Sequence, residues 1–252
     1  MNWNIVKKEI KENFFAMKGV LWLFVVAVLF SGMTYSFITV KELSLLAQTE
    51  VMITMGKMIL GVSLLISIIL ASVSFSNEKE QSTIESLMLT PISGIQLANG
   101  KLIGTMFMWL MIFLVSLPYM MTLSSGTGIG YLVILFILIT GTAMIFIYSN
   151  ISISLSIIMG SSKNAMITSI LVFLITAIPS FLSTTMKKAG FGMILDGISP
   201  LSNTINLMKG VIINRQGLLS LSQYIIPIIL YVILSYFLLV VAVKKFNFEG
   251  GE

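Results

Sequence analysis

The side chains able to do chemistry in this chain are few, and many of them gather in one stretch. Residues 76–101, SNEKEQSTIESLMLTPISGIQLANGK, hold Glu78, Glu80 and Glu85, three of the ten carboxylates in the 252-residue sequence. Their spacing is that of caps and contacts. Ser82 and Glu85 stand as in a capping box, where the hydroxyl accepts from the third amide and the carboxylate reaches back to the cap. Ser93 and Gln96 repeat the pattern. Thr90-Pro91 ends the helix between them, because proline lacks an amide hydrogen and pushes its predecessor toward extended backbone. The short helix so bounded, 83–89, begins at Thr83 and carries Ile84, Leu87 and Met88 on one face. Ringed by Glu78, Glu80 and Glu85, that face is a small docking surface with a charged rim. The competing reading is a surface helix packed on the chain's own spans, with Glu85 a pure cap.

A second polar group, Ser149, Asn150, Ser152 and Ser156, interrupts an apolar run. The three serines share one helical face and Asn150 lies beside them. They either line a polar track through the membrane or bond carbonyls one turn back and let helices approach closely. Other chemistry is excluded. Without cysteine there is no thiolate metal site or cysteine nucleophile, and without histidine the commonest base and metal ligand is missing. No catalytic or metal-binding residue is predicted. No GxxxxGK[ST] loop is present, so the chain cannot use ATP in the P-loop manner. The basic balance, +5 with a pI near 9.4, fits lysines facing anionic lipid headgroups. No arginine-aromatic patch accompanies it, so nucleic acid is not an expected partner.

The elements that must position these groups are membrane helices. Apolar residues make up 57% of the chain and charged residues 10%, with a mean hydropathy of +1.02. A soluble domain carries roughly a quarter charged residues. The fold class is therefore all-α, a polytopic membrane protein forming one transmembrane domain over 1–252. Residues 1–18 predict an amphipathic interfacial helix, with Trp3, Val6, Ile10, Phe14 and Met17 on its apolar side and Lys7, Lys8, Lys11 and Glu12 facing away. The apolar run after it is too long for a signal-peptide core, so no cleavable signal is expected. Six spans follow at 20–39, 57–75, 102–123, 131–159, 165–182 and 224–243, each near the ~20 residues a crossing needs. The strand-like alternation at 151–157 yields to helix, since an isolated strand cannot satisfy its backbone in lipid. Pro118, Pro179 and Pro227 are expected to kink or bound their spans.

The connections differ in kind. Residues 76–101 form the first inner loop and 124–130 an uncharged outer turn. Residues 160–164 are a minimal inner turn in which Ser162 is a candidate cap. The semi-apolar outer connection, 183–223, contains Pro200, Ile205, Met208 and Ile212 at helical spacing, as in a helix dipping into the outer leaflet. With both termini in the cytoplasm, nine of the fifteen lysines and arginines fall inside, including the cluster before the first span and the tail 244–252. The plasma membrane is the expected location. The spans hold almost no ionisable residue; Lys57 sits at a span boundary, where it can snorkel. A mid-bilayer charge costs ~2.5–3.5 kcal/mol on insertion scales and persists where it relays or couples ions, so an ion-coupled carrier and an intramembrane enzyme are both disfavoured.

The first inner loop resembles the signature of ABC exporter permeases of the type-two permease family. Glu78-Lys79-Glu80 matches its charged start and Ser82-Thr83-Ile84-Glu85 the next step. Leu87-Met88, Thr90-Pro91-Ile92-Ser93 and Gly100-Lys101 complete it. Where Ser82 stands the family usually has glycine; serine keeps the capping chemistry. Ser199-Pro200-Leu201 looks like the family's step before its outer-leaflet helices. The likeness covers nearly the whole chain, the first loop being its specific part, and the short, loop-poor chain is most similar to small Gram-positive peptide and toxin exporters. The resemblance implies two permeases, identical or not, each resting on a cytoplasmic ATPase subunit that binds ATP and magnesium. The helix 83–89 would then be the coupling helix, contacting the ATPase through Glu78, Glu80, Thr83, Ile84, Glu85, Leu87, Met88, Thr90 and Pro91. A methionine-rich lining would suit a hydrophobic or amphipathic cargo: a peptide, bacteriocin or toxin first, a drug next. Lys187, Lys188, Lys209 and Arg215 either form an outer gate or face lipid headgroups. The rival readings are a non-transporting immunity or sensor component and an ion-coupled carrier.

Overall fold

The computed structural model describes residues 3–15, 17–39, 48–83, 93–125, 128–188 and 190–245, and these are helical nearly throughout. In chain order the elements are α1 (Trp3–Ile10), a π-helical segment (Lys11–Phe15), α2 (Met17–Thr39), α3 (Gln48–Val73), α4 (Ser76–Glu80) and α5 (Gly94–Ser124). Then come α6 (Gly130–Ile158), α7 (Ser162–Phe181), α8 (Thr184–Lys188), α9 (Gly190–Ile198) and α10 (Pro200–Ile212). A 3₁₀ turn (Leu218–Leu221) leads into α11 (Ser222–Lys245). Six helices are long and apolar enough to cross a membrane: α2, α3, α5, α6, α7 and α11. The alternating 151–157 segment is helical, ending α6.

Small residues decide how the bundle packs. The most extensive contact is between α3 and α6, which run in the same direction. Gly56 faces Ile137 and Leu60 faces Gly141, while the backbone of Phe75 meets Ser156, a constant register of 81 positions. A Cβ on Gly141 would come within 2.6 Å of Trp109 Cη2 and 2.9 Å of Leu60 Cδ2. The bare backbone there admits the indole, which is fully buried and donates from Nε1 to Thr142 Oγ1 at 3.1 Å. Glycine at a helix crossing lets three helices meet where a side chain would separate them. The core, which includes Leu64, Met108, Trp109, Ile112, Ile137 and Met144, lies along α3, α5 and α6, with Phe30 of α2 and Met208 of α10 packed into it. Helices α2, α7 and α11 are peripheral and present Phe24, Val28, Leu171, Ile175, Ile233 and Phe237 outward, as a lipid-facing surface requires.

Several elements depart from their expected limits. Helix α3 starts at Gln48, not 57, and α5 starts at Gly94, not 102. Lys57 therefore lies well inside α3 and is half-buried. Neither Thr49-Glu50 nor Gly56 stops the helix, because α10 covers that end: Met208 Cε lies 3.5 Å from where a Gly56 Cβ would be. Pro118, Pro179 and Pro227 all fall inside helices. The expected surface helix is not one continuous α-helix; the π-helical residues 11–15 separate α1 from α2, and such an insertion re-aims one face against the next. Trp3 is 63% exposed, and the buried face of α1 is Ile5, Val6 and Glu9. The reason is docking on α5: a Cβ on Gly100 would sit 2.5 Å from Ile5 Cγ2, so glycine there lets α1 lie flush. In the long connection, Pro200 opens α10 and Ser199 Oγ accepts from the Ser202 amide, a side-chain cap with proline in the first turn. Ile205, Met208 and Ile212 are buried against the spans.

Candidate functional site

At one end of the bundle, α1, α4, the start of α5, the end of α6 and the start of α7 converge on the residues 76–83. Each member of the charged triplet Glu78-Lys79-Glu80 grips a different element. Glu78 Oε1 accepts from Lys101 Nζ at 2.7 Å, joining α4 to α5. Lys79 Nζ donates to the Ile157 carbonyl at the end of α6. Glu80 Oε1 accepts from the Ser162 amide at 2.8 Å, at the first turn of α7. That amide is one of the donors a helix leaves unsatisfied at its start, and a carboxylate there also meets the positive end of the helix dipole. Behind the triplet, Ser156 Oγ accepts from the amides of Phe75 and Ser76 at 3.0 and 2.9 Å and donates to Ser76 Oγ.

Lys101 is the centre of this arrangement. It is 2% exposed, so its charge must be met inside the protein. Glu9 Oε1 on α1 lies 3.0 Å from Nζ, opposite Glu78, and the Phe75 ring centroid lies 5.1 Å away, within range of a cation–π contact. Two carboxylates and one lysine leave the cluster with a formal charge of −1. Burial drives the Glu9 carboxyl above its ordinary pKa, outweighing the attraction of Lys101, and Glu78 and Glu12 push in the same direction. Glu78 Oε2 is buried without a hydrogen-bond partner among the described residues.

Of the sequence-predicted contact residues, the structure describes Glu78, Glu80 and Thr83. Ile84, Glu85, Leu87, Met88, Thr90 and Pro91 lie outside the described residues, and so does the proposed helix 83–89 beyond its first position. Glu78 is half-buried and turned toward Lys101, whereas Glu80 stays exposed while it holds the Ser162 amide. The capping readings need correction. Ser82 has φ 55°, the left-handed region, whereas a capping serine takes extended backbone. The position asks for a backbone that glycine adopts freely. Ser93 does stand at the N-cap of α5 with extended backbone, but its side chain makes no capping bond; its carbonyl accepts from Gln96 and Leu97. Ser162 is not the cap of α7 either. Ser161 occupies that place, and Glu80 supplies the carboxylate.

The polar group of α6 is wholly buried: Ser149, Asn150 and Ser156 at 0% and Ser152 at 1%. Ser156 belongs to the anchored end just described. Ser149 Oγ and both amide atoms of Asn150 lack hydrogen-bond partners among the described residues. What sequence reasoning missed is Glu9 and Lys101 as partners. The available signal was Glu9 itself, an acid placed one turn after Ile5 on the side of α1 that carries Val6.

The opposite end of the bundle holds a second polar network. Lys187 Nζ lies 2.6 Å from Asp196 Oδ1 and donates to Ser202 Oγ at 2.8 Å, so it is paired with protein groups and not free for headgroups. Ser202 Oγ donates to Asp196 Oδ1, and Asn206 Nδ2 to Asp196 Oδ2 at 2.8 Å. Burial works against the Asp196 charge, but hydrogen bonds from Lys187 and Ser202 outweigh it and hold the carboxyl below its usual range. Among the described residues no cluster of acids could hold a metal ion.

Comparison with curated proteins returns no match. A family model described as ABC-2 family transporter protein matches residues 3–244, from the first turn of α1 to the last of α11. With that match over six apolar spans, the chain belongs to the ABC-2 family of transporter proteins, multi-pass membrane permeases that generally partner an ATPase subunit.

Proposed function

We propose that this permease is the membrane half of an ATP-driven exporter, and that force from the ATPase subunit enters through residues 83–91. The observation that carries this reading is the anchoring of 76–83. A loop that only joined two spans would have no need to hold α1, α5, α6 and α7 at once. Here Glu78, Lys79, Glu80 and Ser76 reach all four, through Lys101 and Glu9 in the case of α1. A push on the segment that follows is passed to these helices as one displacement rather than lost in a slack connection. ATP and magnesium would be bound by the partner subunit, and a second permease, identical or not, would complete the pathway. The exposed apolar surfaces of α2, α7 and α11 offer area for that second chain as well as for lipid. The cargo we favour is hydrophobic or amphipathic, a peptide, bacteriocin or toxin before a drug, since the described spans offer no charged track. Both termini would be cytoplasmic, as the lysine distribution favours.

The test is reconstitution of the full chain with its ATPase, comparing wild type with Glu85→Arg and Leu87→Asp. Loss of complex formation, or of cargo-dependent ATP turnover, is expected for both. If neither property changes, coupling does not run through this segment. Cargo movement that survives without ATP but collapses with the proton gradient would overturn the exporter reading in favour of a carrier.

A further inference from the structure

The end of the bundle away from the anchored loop contains a cavity of about 650 Å³ between α9, α10 and the start of α11. Its wall includes Lys187, Asp196, Asn203, Asn206, Lys209 and Tyr224. Its electrostatics are not balanced. Asp196 is the one carboxylate in the wall among the described residues, and Lys187, Ser202 and Asn206 already occupy it. The Lys187 charge is thereby cancelled. Lys209 remains, with neither an ion-pair nor a hydrogen-bond partner among the described residues. Lys57, half-buried on α3, feels the charges of Lys209 and Lys187 and, with the opposite sign, that of Glu50. Around the lysine the wall is rich in donors. Asn203 Nδ2 and Asn206 Nδ2 each give one hydrogen to the protein, to the Gly197 carbonyl and Asp196, leaving a second hydrogen on each nitrogen.

We propose that this cavity binds a phosphate-type anion carried on a larger organic body, with Lys209 receiving the charge and Asn203 and Asn206 orienting the group. A surplus lysine beside amide donors recognises anionic oxygens through charge-assisted hydrogen bonds. The volume lies in the range of small-molecule sites and far exceeds a bare ion, so the phosphate arrives on a larger group. A phospholipid headgroup and a soluble phosphate ester share that chemistry. The site does not depend on the direction or the cargo of transport.

The experiment uses the full-length chain in two arms. In the first, the protein sits in phosphatidylcholine nanodiscs and glycerol 3-phosphate is titrated calorimetrically. In the second, the nanodiscs contain phosphatidylglycerol as a minor component, and its retention is read by native mass spectrometry. Lys209→Gln should weaken binding at least ~tenfold, the loss expected for one charge-assisted hydrogen bond. Lys209→Arg should retain it, and Lys245→Gln, at the other end of the bundle, should leave it unchanged. Binding in the first arm makes a soluble ester the ligand; binding confined to the second makes it a bilayer lipid. Either supports the site. No binding in either arm, or an equal loss in Lys209→Gln and Lys245→Gln, overturns it.

Discussion

Replacing Lys101 by methionine tests the anchored end most directly. The substitution keeps the length and apolar stem of the side chain but leaves Glu9 and Glu78 facing a site with no cation. Lys101 is 2% exposed and Glu9 4%, so water cannot take over what the ammonium did. Contacts of 3.0 and 2.7 Å are each worth roughly 4 kcal/mol or more at an effective dielectric near 20. Repulsion between the carboxylates and the desolvation of all three groups offset much of that. Breaking a buried pair by removing one partner typically costs about 3–5 kcal/mol. For a chain of this size that corresponds to a fall in Tm on the order of 10 °C. The assay is thermal unfolding of the full chain in nanodiscs, run as a cycle with Glu9→Gln and Glu78→Gln. The triple variant, which removes every charge in the cluster, should regain part of the lost stability, because a buried amide costs far less to desolvate than an unpaired carboxylate. A single variant within about 1 kcal/mol of wild type, or a triple variant no more stable than the single, would refute the reasoning that the cluster is held by charge.

Gly141→Ala should destabilise by about 1–3 kcal/mol in the same assay, because the rigid indole of Trp109 blocks the new methyl group, whereas Gly61→Ala, with open space around it, should be tolerated. Ser82→Gly should stabilise by about 1 kcal/mol by relieving the left-handed backbone, and Ser82→Val should do the reverse. The Asp196 carboxyl is held below its unfolded pKa of about 3.9, so its contribution is present above that value and lost as pH falls through the lower folded one. Asp196→Asn should therefore flatten the acid limb of a Tm-against-pH curve below about pH 4.

The helical class and the number of spans were legible because period and length speak for themselves: an apolar run of span length leaves the backbone no other way to pair in lipid. Helix limits were less legible. Hydropathy marks where residues turn polar, and the polar first turns of α3 and α5 continue as helix under cover of α10 and α1. The partners of the charged triplet were not legible, since Lys101 and Ser162 are distant in sequence and become neighbours through packing alone. Glu9 was hidden by its neighbours: among lysines it looks like one more solvated charge. Ser82 shows the opposite error, in which a side chain suited to capping drew attention from a backbone angle.

The two residues that flank the segment 84–92 are both fixed. On one side Thr83 is tied to the Glu78 carbonyl through both its amide and its hydroxyl, and on the other Ser93 opens a membrane-length helix. Under the coupling proposed above, force delivered between Thr83 and Ser93 enters a frame of hydrogen bonds on one side and a membrane-length helix on the other, with no slack at either residue.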